Sequence, residues 1–266
     1  MNEIHPAAIV DDGATLGDNV SVGPFSIIGS NVTLQDGVSV KAHVVVEGRT
    51  SIGSNSVIFP FASIGYQPQD LKYRGEESEL IVGANTVIRE HVTMNPGTTA
   101  GGLVTSTGSN CLFMVGVHVA HDCRIGDHVI LVNNATLGGH VEIGDYAIVG
   151  GMSAVHQFVR IGAYAMVGGM SGVENDVIPY GSAKGNRAHL SGLNIVGLKR
   201  RNFDREQIHD LRAAYRLLFA EEGTMQERLE DVAKLFSGNE LVTDIVEFVR
   251  AESSRAICQP QMERAA

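Results

Sequence analysis

Four histidines lie close together in the middle of this chain of 266 residues. They are His118, His121, His140 and His156. Imidazole exchanges a proton readily near neutral pH, so a cluster of histidines is a candidate general-base site. Asp122 directly follows His121 and could orient or polarise its ring. One exposed histidine would carry little weight, but four within a short stretch favour a functional site.

A glycine backbone accompanies these histidines. Gly139 comes immediately before His140. Its N–H can stabilise negative charge on an acyl oxygen, because no side chain blocks the approach. No serine or cysteine stands out as a covalent nucleophile. The composition therefore favours direct attack by a substrate hydroxyl on an activated acyl group.

The elements that position these residues come from a repeat. An aliphatic residue recurs at every sixth position from Ile4 to Val173, with two interruptions. A second column of small or β-branched residues follows four positions later. This hexapeptide repeat predicts a parallel β-helix, in which three short strands form a coil of about eighteen residues. The four histidines lie outside both columns and should point outward, with His121 one coil away from Gly139.

Two polar stretches interrupt the repeat and are predicted to be loops, near 66–81 and 96–106. After the repeat ends, apolar residues return at helical spacing behind a capping residue, Asp204. We predict a mainly β protein with a β-helix over 1–185 and an α-helical domain over 186–266.

Composition narrows the function classes. The net charge of −10 argues against nucleic-acid binding. No apolar run is long enough to span a bilayer and no signal peptide is visible, so we expect a cytoplasmic protein. Cys111 and Cys123 fall on the inward column and are expected in the core. The basic segment 199–201 could bind a phosphate or an acidic protein.

A metal site is the rival interpretation of the histidines. His118, His121 and His140 could supply three nitrogen ligands, within one chain or across a subunit interface. The γ-class carbonic anhydrases, which are metal-dependent hydratases, use a left-handed β-helix in this way. A third alternative is a β-helix scaffold without catalytic activity, which would need no outward histidines.

Four segments, at 118–123, 133–140, 150–158 and 197–201, resemble the acyl-[acyl-carrier-protein]–UDP-N-acetylglucosamine O-acyltransferases, which begin lipid A synthesis. The resemblance covers essentially the whole chain. It implies a left-handed β-helix and a homotrimer with active sites between subunits. It also implies acyl carrier protein and UDP-N-acetylglucosamine as substrates, with no metal and no cofactor.

The resemblance also implies residue roles. His121 would be the general base, Asp122 its partner and Gly139 the oxyanion donor. Gly169 would be the acyl-length ruler, and a glycine there implies a 3-hydroxyacyl chain near fourteen carbons. The substrate contacts would be Asp70, Lys72, His118, His140, His156, Gln157, Asn194, Arg200 and Arg201. Of these, Asp70 and Lys72 would reach the cleft of a neighbouring subunit.

Three positions depart from the family pattern. Asn95 and Pro96 stand where well-known members have His and Arg, and Val196 stands where they have Glu. These positions border the sugar-nucleotide pocket, so a 3-amino analogue of the acceptor stays open beside the 3-hydroxyl sugar. A related N-acyltransferase that acts later in lipid A synthesis is a further alternative. That family usually carries an extra N-terminal domain, whereas this repeat begins at Ile4.

Overall fold

A computed structural model describes residues 1–261 of the chain. The repeat forms a left-handed β-helix with three parallel sheets, as predicted, and helices follow it. Most strands contain two residues, one facing the interior and one facing out. The core is the line of inward side chains, and each fully buried aliphatic contributes about 2 kcal/mol. Ile4, in the first coil, is 38% exposed because no coil covers it on that side.

In the described residues, the first sheet contains β1 (Glu3–Ile4), β4 (Ser21–Val22), β7 (Ser39–Val40), β10 (Val57–Ile58), β13 (Val87–Ile88), β16 (Leu112–Phe113), β19 (Ile130–Leu131), β22 (Ile148–Val149), β25 (Met166–Val167), β27 (Gly181–Lys184) and β28 (His189–Leu193). The second contains β2 (Ile9–Val10), β5 (Ile27–Ile28), β8 (Val45–Val46), β11 (Ser63–Ile64), β14 (Thr93–Met94), β17 (His118–Val119), β20 (Thr136–Leu137), β23 (Ala154–Val155) and β26 (Gly172–Val173). The third contains β3 (Thr15–Leu16), β6 (Thr33–Leu34), β9 (Arg49–Ile52), β12 (Glu79–Val82), β15 (Val104–Thr107), β18 (Arg124–Ile125), β21 (Glu142–Ile143) and β24 (Arg160–Ile161).

Both inserted loops are shorter than the sequence predicted. The stretch 66–81 ends in β12, which begins at Glu79, and the stretch 96–106 ends in β15, which begins at Val104. Leu80 is fully buried although its neighbours are exposed. The acidic residues before Leu80 made this stretch look like a loop in the sequence. In a strand only every second side chain faces the core, so polar residues can occupy the positions between.

Both loops leave the solenoid at the same corner, between the second and third sheets, and we call it the loop corner. The first loop follows β11 and the second follows β14. In the next three coils this corner is formed by residues 121–122, 139–140 and 157–158. The fold therefore stacks the candidate catalytic residues directly beyond the two loops.

Corner residues often have positive φ, as the Gly, Asn and Asp residues predicted. Asn19, with φ 56°, fits that expectation, but His140 (60°) and Tyr146 (61°) do not. The rings at these corners stack on those of adjacent coils. The Tyr146 and Tyr164 ring centroids, for example, lie 4.8 Å apart. This stacking offsets the strain of the left-handed backbone conformation. The spacing of residues in the sequence did not reveal the stacking.

The sheet continues past residue 185, since β27 pairs antiparallel with β28 and extends the first sheet to Leu193. The helices are α1 (Ile195–Arg200), α2 (Arg205–Leu218), α3 (Met225–Leu235) and α4 (Glu240–Arg250). Asp204 caps α2 as predicted, accepting from two backbone N–H groups of its first turn. Within residues 1–261, every helix is too short or too polar to cross a membrane.

Candidate active site

His121 and Asp122 form a hydrogen-bonded pair at the loop corner. Nδ1 of His121 lies 2.7 Å from Oδ2 of Asp122. The carboxylate accepts, so the imidazole donates from Nδ1, and the neutral ring then keeps a lone pair on Nε2. The His121 ring is mostly covered, with 15% of the side chain exposed, while the Asp122 carboxyl group is fully buried. In this tautomer Nε2 can accept a proton from a bound hydroxyl.

The second loop fixes the Asp122 carboxylate. Thr98 donates twice to it, from its N–H to Oδ1 at 2.8 Å and from its hydroxyl to Oδ2 at 2.6 Å. The N–H of Asp122 itself donates to Oγ1 of Thr105 at 2.7 Å. Gly101 also packs so closely that a Cβ there would overlap the carboxyl group. With every side closed by a donor or a backbone, Asp122 holds one orientation toward His121.

Gly139 lies against the free edge of the His121 ring. A Cβ built at Gly139 would stand 2.7 Å from Nε2 of His121. Within residues 1–261, the Gly139 N–H donates no hydrogen bond. At the matching position of another corner, the N–H of Asp127 donates to Oδ1 of Asp145 in the next coil. Gln157 replaces that aspartate above Gly139, so the N–H stays free beside the base.

His118 and His140 flank the pair. Nδ1 of His118 lies 2.7 Å from Oγ1 of Thr93, and burial lowers the pKa of His118, with a smaller contribution from His121. The His140 ring meets His121 edge-on at 5.1 Å between centroids. Burial also lowers the pKa of His140, although the nearby Asp122 charge raises it. Burial therefore favours the neutral form of both flanking rings, in which one ring nitrogen donates and the other accepts.

The first loop brings Asp70 and Lys72 to this region. The charge of Asp70 raises the pKa of His140, and that of Lys72 lowers it. Asp70 also accepts the Lys72 N–H at 2.9 Å, which shapes the loop and leaves the lysine side chain exposed. The resemblance implied that these two residues reach a neighbouring subunit. Within one chain, their charges act on the pKa of its own His140.

One group of residues in 1–261 could hold a metal ion, namely His121, Asp122 and His140, whose ligand atoms lie within 4.8 Å of one another. The three-nitrogen set of the rival hypothesis does not form in one chain, because His118 is outside this group. Oδ2 of Asp122 already accepts hydrogen bonds from His121 and Thr98. A metal ion on Oδ2 would have to displace at least one of these donors, so the site fits proton transfer better than metal binding.

Comparison with known proteins decides the family. A profile described as Udp N-acetylglucosamine O-acyltransferase, domain 2, matches residues 176–258, and a six-repeat bacterial transferase hexapeptide profile matches 13–48 and 105–139. The acyl-[acyl-carrier-protein]–UDP-N-acetylglucosamine O-acyltransferase of Caulobacter vibrioides is 59% identical over 260 residues, 98% of this chain and 99% of that protein. This chain belongs to that acyltransferase family.

Other members of the family are similar to this chain over nearly its whole length. The O-acyltransferase of Azorhizobium caulinodans is 54% identical over 97% of this chain and 95% of its own length. The solved structure of LpxA from Acinetobacter baumannii has a TM-score of 0.90 and 43% identity, over 96% of this chain and 99% of that one. The chain is therefore an acyltransferase with the hexapeptide-repeat fold.

The remaining residues that the family resemblance singled out lie either on the next coil of the loop corner or farther from the His121 pair. His156 and Gln157 are exposed one coil beyond Gly139, on the loop corner. Gly169, also exposed, lies at the corner between the first and second sheets. Arg201 stacks on Tyr146 at the third corner, with its guanidinium 4.2 Å from the ring centroid. A single chain thus spreads the expected acyltransferase site over three corners.

Asn194 and Arg200 belong to α1. Asn194 is its N-cap, accepting the Gly197 N–H at 3.1 Å and donating to the Tyr164 carbonyl at 2.9 Å. Both ends of its amide therefore serve the fold of a single acyltransferase chain. Arg200 is exposed in the last turn of α1.

The departures from the family pattern have different surroundings. The Asn95 amide is buried and donates to the carbonyls of Tyr66 and Gln67, so it ties the first loop to β14. Pro96 is buried beside it. Val196 is 61% exposed. Of the three departures, Asn95 thus helps to shape the first loop of this acyltransferase.

Sequence reasoning missed the residues that hold the site in place. Thr98 and Thr105 bind Asp122, and Arg255 contacts His156 and the Gln157 carbonyl. Thr98 sat in a stretch without periodicity. The only signal in the sequence that could have pointed to Thr98 is that a buried aspartate at a corner requires hydrogen-bond donors.

Proposed function

We propose that this protein transfers a 3-hydroxyacyl chain from acyl carrier protein to the 3-hydroxyl of UDP-N-acetylglucosamine, the first step of lipid A synthesis. The names of its relatives support this substrate pair. The observation that carries the proposal is the His121 ring, which binds Asp122 through Nδ1 and packs with its other edge against Gly139, whose N–H has no acceptor in residues 1–261.

The base acts on the sugar hydroxyl and the oxyanion donor acts on the thioester carbonyl, within the same step. His121 Nε2 takes the proton of the sugar hydroxyl while that oxygen attacks the thioester carbon. The carbonyl oxygen becomes an oxyanion, to which the Gly139 N–H donates. When the C–S bond breaks, the thiolate leaves and takes the proton from the imidazolium. Asp122 stabilises the imidazolium between these events without losing or gaining a proton.

The transfer is direct, without an acyl-enzyme. Cys111, Cys123 and Cys258 are all buried. Burial raises the pKa of Cys123 to about 12 and that of Cys111 to about 11, so both thiols stay protonated at neutral pH. The substrate hydroxyl, activated by His121, is then the nucleophile.

The working unit is a homotrimer with its sites between subunits. The catalytic pair, Gly169 and Arg201 occupy different corners of one prism, and copies related by a threefold axis can bring different corners together. No metal ion and no cofactor take part. The reaction is cytoplasmic, where acyl carrier protein and nucleotide sugars are found.

The carrier protein docks on a basic groove of the helical domain. This groove, of about 810 Å³, is lined by Lys199, Arg205 and Arg212. Acyl carrier protein is acidic, so opposite charges favour association there. The acyl chain extends toward Gly169, whose missing side chain leaves room for about fourteen carbons.

The test is acyl transfer by the purified protein. It is mixed with 3-hydroxymyristoyl-acyl carrier protein and UDP-N-acetylglucosamine, and the acylated sugar is measured by mass spectrometry. His121→Ala should abolish turnover, while His5→Ala, which removes an exposed histidine of the first coil, should not. Equal activity in wild type and His121→Ala would show that His121 is not the general base.

The acceptor is tested in the same assay by direct competition between the sugar and its 3-amino analogue. An amine is the stronger nucleophile and asks less of the base. We expect the 3-hydroxyl sugar to be preferred; a preference for the amine would change the acceptor and leave the donor and fold unaffected. Elemental analysis of the preparation tests the hydratase alternative, which requires bound zinc or iron at His121, Asp122 and His140.

A further inference from the structure

The chain after α4 returns to the solenoid and runs along its last coils. The Cys258 N–H donates to the Asp176 carbonyl, and the Asp176 N–H donates to the Ala256 carbonyl, both at 2.8 Å. The Asp176 carboxylate is buried and accepts from Arg160 Nε and from the Ser253 hydroxyl, both at 2.7 Å. These bonds fix residues 253–258 against the coil that follows His156.

This return places Arg255 on the loop corner. Its Nε donates to the Gln157 carbonyl at 3.1 Å, and its Nη2 lies 2.6 Å from Nδ1 of His156. The planar guanidinium thus spans a backbone oxygen and an imidazole nitrogen at once. A lysine could not make both contacts from one rigid group.

The contact decides the tautomer of His156. Nδ1 also lies 3.3 Å from the Gln157 carbonyl, and that bond would need a proton on Nδ1. Arginine has only donors, so the shorter contact to Arg255 requires a lone pair on Nδ1. The Gln157 carbonyl already accepts from Arg255. The proton of the ring is therefore on Nε2, which has no hydrogen-bond partner in residues 1–261 and lies on an exposed side chain.

We infer that Arg255 is a positioning residue, which fixes the ring of His156 as the Nε2–H tautomer and aims that N–H at an acceptor oxygen of the bound substrate. The inference rests on the proposed function, because it takes His156 to be a substrate contact. It assigns the C-terminal segment a part in the site that the repeat itself does not supply.

The first test is independent of turnover. Ring nitrogen shifts from ¹⁵N-histidine-labelled protein identify the tautomer of His156, whose signals are assigned by their loss in His156→Gln. We expect the Nε2–H tautomer in wild type and a mixture of tautomers in Arg255→Gln. An unchanged tautomer in Arg255→Gln would overturn the inference.

The second test is a double-mutant cycle in acyl transfer. Arg255→Gln and Arg255→Lys should each lower kcat/KM about tenfold, as expected for loss of a charge-assisted hydrogen bond. In the His156→Gln background, Arg255→Gln should have no further effect. Arg250→Gln removes an exposed arginine from the end of α4 and serves as the matched control, which should stay at wild-type activity.

An equal loss from Arg255→Gln in both backgrounds would mean that Arg255 does not act through His156. Full activity of Arg255→Lys would show that the two simultaneous contacts of the guanidinium are not needed. Absence of acyl transfer in wild type would refute the proposed function instead. In that case the tautomer measurement alone decides whether Arg255 sets the state of His156.

Discussion

The backbone of Gly139 packs against the Cε1–Nε2 edge of the His121 imidazole, so that a Cβ at position 139 would stand 2.5 Å from Cε1 and 2.7 Å from Nε2. Real Cβ atoms do not approach other atoms so closely. A glycine at this position is therefore required for the ring to occupy its place, in addition to offering an open N–H.

Gly139→Ala should displace the His121 ring and lower kcat about 100-fold, because the base and the reacting hydroxyl lose their alignment. The backbone of Gly139 is outside the left-handed region, so the variant should fold. Steady-state kinetics and thermal unfolding measure the two effects separately. Gly238→Ala, which adds a methyl group to open space, is the control. Wild-type kcat in Gly139→Ala would contradict the packing argument.

Thr98→Val should lower both stability and activity. It removes the hydroxyl that donates to Asp122 Oδ2 but keeps the shape of the side chain and the backbone N–H bond to Oδ1. A buried carboxylate that loses a donor costs about 2 kcal/mol of unfolding free energy. Activity should fall about tenfold, since Asp122 then holds His121 less firmly. Chemical denaturation and kcat are the measurements.

The neighbouring Thr99 provides the control for this prediction. It is exposed, and its hydroxyl donates to Glu76 rather than to Asp122. Thr99→Val should therefore change stability and kcat little. If Thr98→Val and Thr99→Val behaved alike, the second loop would not act through the carboxylate.

Gly169→Met should shift donor preference toward shorter acyl chains. Gly169 is exposed, has no positive φ, and a Cβ there would meet the Gly151 carbonyl oxygen at 3.2 Å, a contact that a small shift relieves. Each methylene that no longer fits loses about 0.8 kcal/mol of burial. Competition between ten-carbon and fourteen-carbon donors measures the preference. An unchanged ratio would remove Gly169 from the ruler role.

Stability should fall as the pH drops below about 6.5, in part because of His118. Burial lowers the pKa of His118 from its ordinary value of 6.5 in the folded state. The unfolded chain therefore binds this proton at a higher pH than the folded chain, so the free energy of unfolding decreases as the pH falls through that value. Above it both states are neutral and the residue makes no contribution.

His118→Gln keeps a hydrogen-bonding side chain beside Thr93 and removes the titration. The difference in unfolding midpoint between pH 7.5 and pH 5.5 should therefore be smaller in this variant than in wild type. His140, whose pKa burial also lowers, should contribute in the same direction. A difference that does not change in His118→Gln would contradict the burial of that ring.

Much of the fold could be predicted because the information was local and periodic. The hexad columns gave the inward residues, including Cys111 and Cys123, and these are buried as expected. The predicted ends of the two loops were wrong, because the strands that follow them contain polar residues like those of the loops. Leu80, hidden among acids, is the example, since its burial depends on pairing with β9 and β15.

The sequence by itself determined the solenoid, the outward direction of the histidines and the placement of His121 one coil from Gly139. A repeat fixes these relationships because each coil bonds to the next in the same register. Only the tertiary structure decided that Thr98 would hold Asp122 across 24 residues, and that Arg255 would reach His156 across 99. Loops and the returning C-terminal segment carry no period, so their contacts depend on where the folded solenoid leaves a buried carboxylate or an open ring nitrogen to be satisfied.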